Sequence, residues 1–127
     1  MFWKALYNFL LFPIFFIITL IISIFNRKIF RGIKGRIESK KIIKNFINQI
    51  DSNDLYWFHA ASLGEYEQIK PVLAGLKEVE PRAVFILSFF SPSGYDYVDD
   101  DQVDCKIYLP FDFKWTIKKY LNLIKPK

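Results

Sequence analysis

The first pattern in the chain is an absence of charge. From Ala5 to Asn26 there is no Asp, Glu, Lys or Arg, and Phe9 to Phe25 is almost entirely apolar. A helix of about 20 such residues crosses a hydrocarbon core, so residues 1–26 are predicted to be a membrane anchor. Pro13 is expected to kink it, which a membrane helix tolerates, and Trp3 and Tyr7 stand where interfacial aromatic residues belong. The competing reading is a cleaved signal peptide. That needs a positive start and a small-residue cleavage site, whereas here the positive charge lies downstream and Ser23-Ile24-Phe25-Asn26 offers no such site.

The period then changes. Ile42, Ile43, Phe46, Ile47 and Ile50 recur at helical spacing beside Lys40, Lys41 and Lys44, predicting a basic amphipathic helix over 37–50. Its apolar face has two possible partners, its own domain or lipid, and residues 27–50 are read as a basic linker. Asp51-Ser52-Asn53-Asp54 marks a turn. Beyond it, strands and helices alternate. Leu55–Ala60 reads as a strand and Glu65–Val79 as a helix, in which Pro71 predicts a kink or a late start. Ala83–Phe89 is a continuous apolar run, the mark of a strand buried on both faces. Ser91-Pro92-Ser93-Gly94 reads as a turn, with a short helix around Tyr95 to Val98, and Asp99-Asp100-Asp101 as a solvated turn. Cys105–Leu109 is a third strand and Lys114–Leu123 a last helix. Such alternation implies βαβ units on a parallel sheet, so residues 51–127 are predicted to be part of a Rossmann-like α/β domain.

Charge sharpens the division. Residues 1–50 hold nine Lys/Arg against one acid, and residues 51–127 hold nine against twelve. The basic balance therefore belongs to the membrane-proximal segment and does not describe a nucleic-acid-binding globule. Arg27, Lys28, Arg31, Lys34, Arg36, Lys40, Lys41 and Lys44 come after the apolar run with only Glu38 opposing them. By the positive-inside rule this keeps the rest of the chain in the cytoplasm. The single Cys105 excludes an intramolecular disulfide framework and reads as a buried structural thiol. With only His59 available, a zinc site is not expected.

Candidate chemistry concentrates in Trp57-Phe58-His59-Ala60-Ala61-Ser62-Leu63-Gly64-Glu65. A strand ends in a small-residue turn that delivers a carboxylate to the start of a helix, and open α/β sheets bind ligands at such strand ends. Ala60, Ala61 and Gly64 leave room for a substrate to approach the backbone. Glu65 is either a helix-dipole charge or a general base; Glu67 reads as a solvent-facing helix charge. Ser62 is either a helix cap or a substrate contact. His59 reads as a hydrogen-bonded core residue. Ser91, Ser93 and Gly94 form a second strand-end loop, explained equally by turn chemistry or by binding an anion. Lys34, Arg36 and Lys70 are candidates for a phosphorylated ligand, or solvated charges. No P-loop or dinucleotide fingerprint occurs.

The nine-residue segment is succeeded by Gln68-Ile69-Lys70-Pro71-Val72, then Phe89-Phe90-Ser91-Pro92-Ser93-Gly94-Tyr95, then Tyr108-Leu109-Pro110-Phe111-Asp112. In that order and spacing the blocks resemble the N-terminal domain of 3-deoxy-D-manno-octulosonic acid (Kdo) transferases, bacterial glycosyltransferases of lipopolysaccharide assembly. Lys34-Gly35-Arg36 resembles the basic, glycine-containing turn after the family's anchor. The resemblance implies two facing Rossmann-like domains of the glycosyltransferase-B type, no cofactor and no required metal. It implies transfer of Kdo from CMP-Kdo to a lipid A precursor at the inner membrane, with Glu65 as the catalytic base. Ser62, Gly64, Ser91, Ser93, Gly94, Lys34 and Arg36 are then the candidate substrate contacts. By the same resemblance the donor-binding half lies outside these residues, and this chain alone is expected to be inactive. The alternative is a membrane-anchored α/β module that binds a partner or lipid and catalyses nothing.

Overall fold

The computed structural model describes residues 3, 6–51 and 54–127. Ala5, at the start of the expected anchor, and Ser52 and Asn53 of the expected turn lie outside the described residues. Tyr7–Leu11 forms a π-helical turn that runs into α1, Phe12–Phe25. Pro13 stands directly after that irregular turn, a usual place for a helix to depart from ideal geometry. Together Tyr7–Phe25 is long and apolar enough to cross a membrane. Its Thr19 and Ser23 hydroxyls donate within the helix, to the Phe15 carbonyl at 2.8 Å and the Leu20 carbonyl at 2.6 Å.

Asn26 ends α1 and starts α2, Arg27–Gln49. Its side-chain oxygen accepts from the N–H groups of Lys28 and Ile29 at 3.0 and 3.3 Å, an N-cap. α2 thus begins ten residues before the expected helix and absorbs Lys34-Gly35-Arg36, which is helical and not a turn. The glycines in it serve close packing. A side chain at Gly35 would overlap the Tyr108 ring, and Gly32 lies against Pro92. One turn further on, buried Ser39 donates to the Gly35 carbonyl at 2.7 Å and accepts the Tyr108 N–H at 2.8 Å.

Three strands make a parallel sheet in the order β1 (Leu55–Ala60), β2 (Val84–Phe89), β3 (Cys105–Tyr108). Their register pairs Ala60 with Phe89 and Phe89 with Tyr108, so the carboxyl ends of all three strands are level. The connecting helices are α3 (Leu63–Val79), α4 (Pro92–Tyr97) and α5 (Lys114–Ile124). β2 is central, and its alternate side chains serve two cores, as its unbroken apolar run requires. Phe85, Leu87 and Phe89 pack with Tyr66 and Leu73 of α3 and with Val98. Ile86 packs with Ile43 of α2, Ile107, and Tyr120 and Ile124 of α5. Fully buried Ile43, with Phe46, Ile47 and Ile50 beside it, shows that the apolar face of α2 meets its own domain.

Three local expectations change. α3 starts at Leu63 and runs through Pro71; Pro71 is exposed, so water can serve the carbonyl that loses its partner. α4 starts at Pro92, inside the expected turn, because Ser91 caps it and proline is favoured at a first helical position. The acidic turn is not fully solvated. The Asp100 side chain is only 9% exposed, accepts from the Tyr66 hydroxyl and lies 3.6 Å from Lys70 Nζ.

Candidate functional site

The turn after β1 places Glu65 by two reciprocal bonds. Ser62 Oγ accepts the Glu65 N–H at 3.4 Å and caps α3, while Glu65 Oε2 accepts the Ala61 N–H at 2.7 Å. This is a capping-box arrangement in which the acid reaches one residue beyond the usual target. The Ser-x-x-Glu spacing that signals it stands in the sequence and explains part of the geometry without any ligand. Yet it occupies only one carboxylate oxygen. Oε1 has no hydrogen bond among the described residues, and the side chain is exposed. Gly64 beside it is not demanded by packing, since an added Cβ would meet only Ser62 Oγ, at 3.9 Å. Glu67 lies exposed further along α3.

The turn after β2 is joined directly to this one. The N–H groups of Phe90 and Ser91 donate to the carbonyls of Ala60 and Ala61, both at 3.3 Å. Ser91 Oγ accepts the Gly94 N–H at 3.3 Å and lies 3.0 Å from Ser93 Oγ. Gly94 has a packing role, because a side chain there would overlap the Phe89 ring. Arg36 of α2 completes the cluster. Its guanidinium donates to the Phe90 carbonyl at 2.8 Å and to the Gly32 carbonyl at 3.0 Å. It sits 4.8 Å from the Phe90 ring centroid and 5.9 Å from those of Tyr108 and Phe111. Burial pulls its pKa down, partly offset by Tyr108, but an arginine stays charged. Among the described residues no carboxylate forms an ion pair with it.

The structure therefore joins the turn carrying Ser62, Gly64 and Glu65 to the loop carrying Ser91, Ser93 and Gly94, and Arg36 reaches that loop through the Phe90 carbonyl. It places Lys34 elsewhere, exposed on α2 and 3.7 Å from Glu38, while Lys70 is engaged by Asp100. His59 corrects the core reading. β1 is an edge strand and the ring is exposed, although Nδ1 lies 3.0 Å from the Ser88 carbonyl and 3.1 Å from its hydroxyl. Buried Ser88 also accepts from Trp57 Nε1 at 3.0 Å.

Beside this cluster opens a groove of about 400 Å³ that the sequence did not reveal. One wall is the apolar helix, with Phe12, Phe15, Phe16 and Thr19; the other is α2, with Lys28, Ile29, Ile33 and Arg36. One end is bounded by the loops after β2 and β3, where Phe111 packs edge-on to Phe16 at 4.9 Å. It arises from the bend at Asn26, which no local pattern specifies.

Comparison with known proteins identifies the family. The profile of the 3-deoxy-D-manno-octulosonic-acid transferase (kdotransferase) family matches residues 33–127. The chain is 36% identical over 73 residues to the 3-deoxy-D-manno-octulosonic acid transferase of Aquifex aeolicus and 30% identical over 73 residues to that of Haemophilus influenzae. Each alignment covers 56% of this chain but 20% and 17% of the relatives, so the chain spans about a fifth of the curated proteins it matches. No solved structure matches it. The family profile takes in β1 with its Glu65 turn, the Ser91 loop and all but the first turns of α2, and by that match the chain belongs to the 3-deoxy-D-manno-octulosonic-acid transferase family.

Proposed function

We propose that this chain forms the acceptor-binding part of a membrane-bound glycosyltransferase of lipopolysaccharide assembly. The enzyme moves Kdo from CMP-Kdo onto a lipid A precursor. The observation that carries the reading is the family match together with a strand-end carboxylate that keeps one oxygen open. As the acceptor hydroxyl attacks the anomeric carbon, Glu65 takes its proton. The new C–O bond forms while the bond from that carbon to the CMP oxygen breaks, and CMP leaves with the electron pair. Arg36 faces the anionic acceptor, and the turns at Ser62–Gly64 and Ser91–Gly94 line its approach. The donor is held by a further domain of the enzyme. Residues 1–26 anchor the protein in the inner membrane, and the basic residues after them keep residues 51–127 on the cytoplasmic face.

A full-length enzyme bearing this N-terminal sequence, assayed in membranes with labelled CMP-Kdo and an acylated lipid A precursor, should yield labelled lipid. Absence of label in folded, membrane-inserted enzyme would sink the reading. A reporter fused after Lys127 that is active only in the periplasm would overturn the topology.

A further inference from the structure

We infer that the groove between α1 and α2 holds one acyl chain of the glycolipid acceptor, with Arg36 meeting the anionic group that the lipid carries at the end bounded by the loops after β2 and β3. The inference rests on the transferase reading above and adds to it the place where the acceptor's tail is gripped.

Three observations carry it. The first is the chemistry of the walls. Three phenylalanines face two isoleucines across a space of about 400 Å³, a volume within the usual range of small-ligand sites, about 300–1,000 Å³. One wall belongs to the helix that is long and apolar enough to cross a membrane, the chemistry an acyl chain would meet. The second is charge. Arg36 is part-buried, spends two donors on carbonyl oxygens and has no carboxylate in an ion pair with it among the described residues. A desolvated cation of this kind is costly without an anion. Lys28 lies on the same groove, while the groove's one carboxylate, Asp112, accepts from the Tyr7 hydroxyl at 3.2 Å.

The third observation selects the acceptor over bulk phospholipid. Phe90 and Ser91 form the lip of the groove and also bond to Ala60 and Ala61, and the Ala61 N–H holds Glu65. A chain seated in the groove therefore brings the head group attached to it beside the candidate base. A phospholipid head delivered there would block turnover.

The test is photo-labelling of the full-length enzyme in nanodiscs. The probe is an acylated, phosphorylated glucosamine disaccharide with a diazirine in one acyl chain. Adducts are expected on Phe12, Phe15, Phe16, Ile29 and Ile33, reduced by unlabelled disaccharide lipid and unaffected by excess phosphatidylglycerol. Ile29→Trp, which fills the groove, should abolish those adducts and raise the acceptor KM about tenfold with the CMP-Kdo KM unchanged. Thr19→Trp fills it from the opposite wall and should do the same, which separates occlusion from misfolding of either variant. Equal labelling of Ile17, Ile21 and Phe25 overturns the inference, as does equal competition by phosphatidylglycerol. Turnover without groove labelling defeats this inference alone, and groove labelling without turnover defeats the transferase reading alone.

Discussion

Glu65 Oε2 accepts the backbone N–H of Ala61 at 2.7 Å, so the candidate base is tied to the turn that presents it. A glutamate normally has three side-chain torsions to order before it can act. Here the bond to the Ala61 N–H restrains them, while the Ser62 cap holds the backbone of residue 65 and Oε1 is left without a hydrogen bond among the described residues. Orientation of this kind lowers the entropic part of a reaction barrier. Structure and proposed catalysis therefore share one side chain without competing for the same oxygen.

Glu65→Gln preserves the shape and an oxygen for the Ala61 N–H while removing the proton-accepting charge. In the full-length enzyme kcat should fall by about 10²–10⁴-fold, the usual scale of general-base catalysis, with the acceptor KM little changed. Glu67→Gln should be nearly silent. Steady-state kinetics decide it, and a Glu65→Gln enzyme with most of its turnover would reduce Glu65 to a helix cap.

Arg36 and Lys34 make a matched pair, two residues apart on α2 but in different surroundings. Arg36→Gln should raise the acceptor KM by about tenfold, and Arg36→Lys should recover only part, because lysine lacks the planar fork that reaches both carbonyls. Lys34→Gln, which loses one exposed i,i+4 pair, should change KM by less than about twofold. Equal effects at the two positions would mean that only overall basicity matters.

Two glycines should respond in opposite directions to the same substitution. Gly35→Ala drives a methyl into the Tyr108 ring and should cost about 1–3 kcal/mol of stability. Gly75 sits in α3 with nothing within 4 Å of a new Cβ, so Gly75→Ala should stabilise by up to about 1 kcal/mol through helix propensity. Denaturant midpoints tracked by circular dichroism in detergent compare them; a stabilised Gly35→Ala would disprove the close contact.

Asp100 gives a pH dependence. The Tyr66 hydroxyl is the largest influence holding its pKa below the ordinary carboxylate value, opposed by desolvation and assisted by the Gln102 backbone and Lys70. A carboxyl with a depressed native pKa contributes stability that is complete above its unfolded value of about 3.9. That contribution is lost as pH falls through the lower native value. The stability gap between wild type and Asp100→Asn should therefore be constant from about pH 7 to 5 and close below about pH 4. A gap that ignores pH would show that the carboxylate's charge contributes nothing.

How much of the fold and site was legible in the sequence depends on the range of each signal. β2 was bounded within one residue, because a strand apolar on both faces writes its burial into consecutive letters. The place of Glu65 in the first turn of a helix was legible for the same local reason, whereas Ser62 stayed open between cap and substrate contact, and its bond to the Glu65 N–H is a finding of the structure. Gly35 was misplaced in a turn because its cause, the Tyr108 ring, lies far away in the sequence. His59 was placed in the core because nothing local shows that β1 lies at the sheet's edge. The groove depends on an angle between two helices, and a one-residue break at Asn26 does not state an angle.

α2 is capped next to the apolar helix at Asn26, and Ser39 and Ile43 lock it into the folded core. The apolar helix is fastened at its other end too, since Tyr7 donates to Asp112 at 3.2 Å and Phe16 meets Phe111 at 4.9 Å in the loop after β3. α2 is one unbroken helix from the Asn26 cap to Gln49, so no loop separates the apolar helix from Ser39 and Ile43, where α2 meets the sheet. Whatever fixes the orientation of the apolar helix therefore also fixes that of the strand ends and of the turn that carries Glu65.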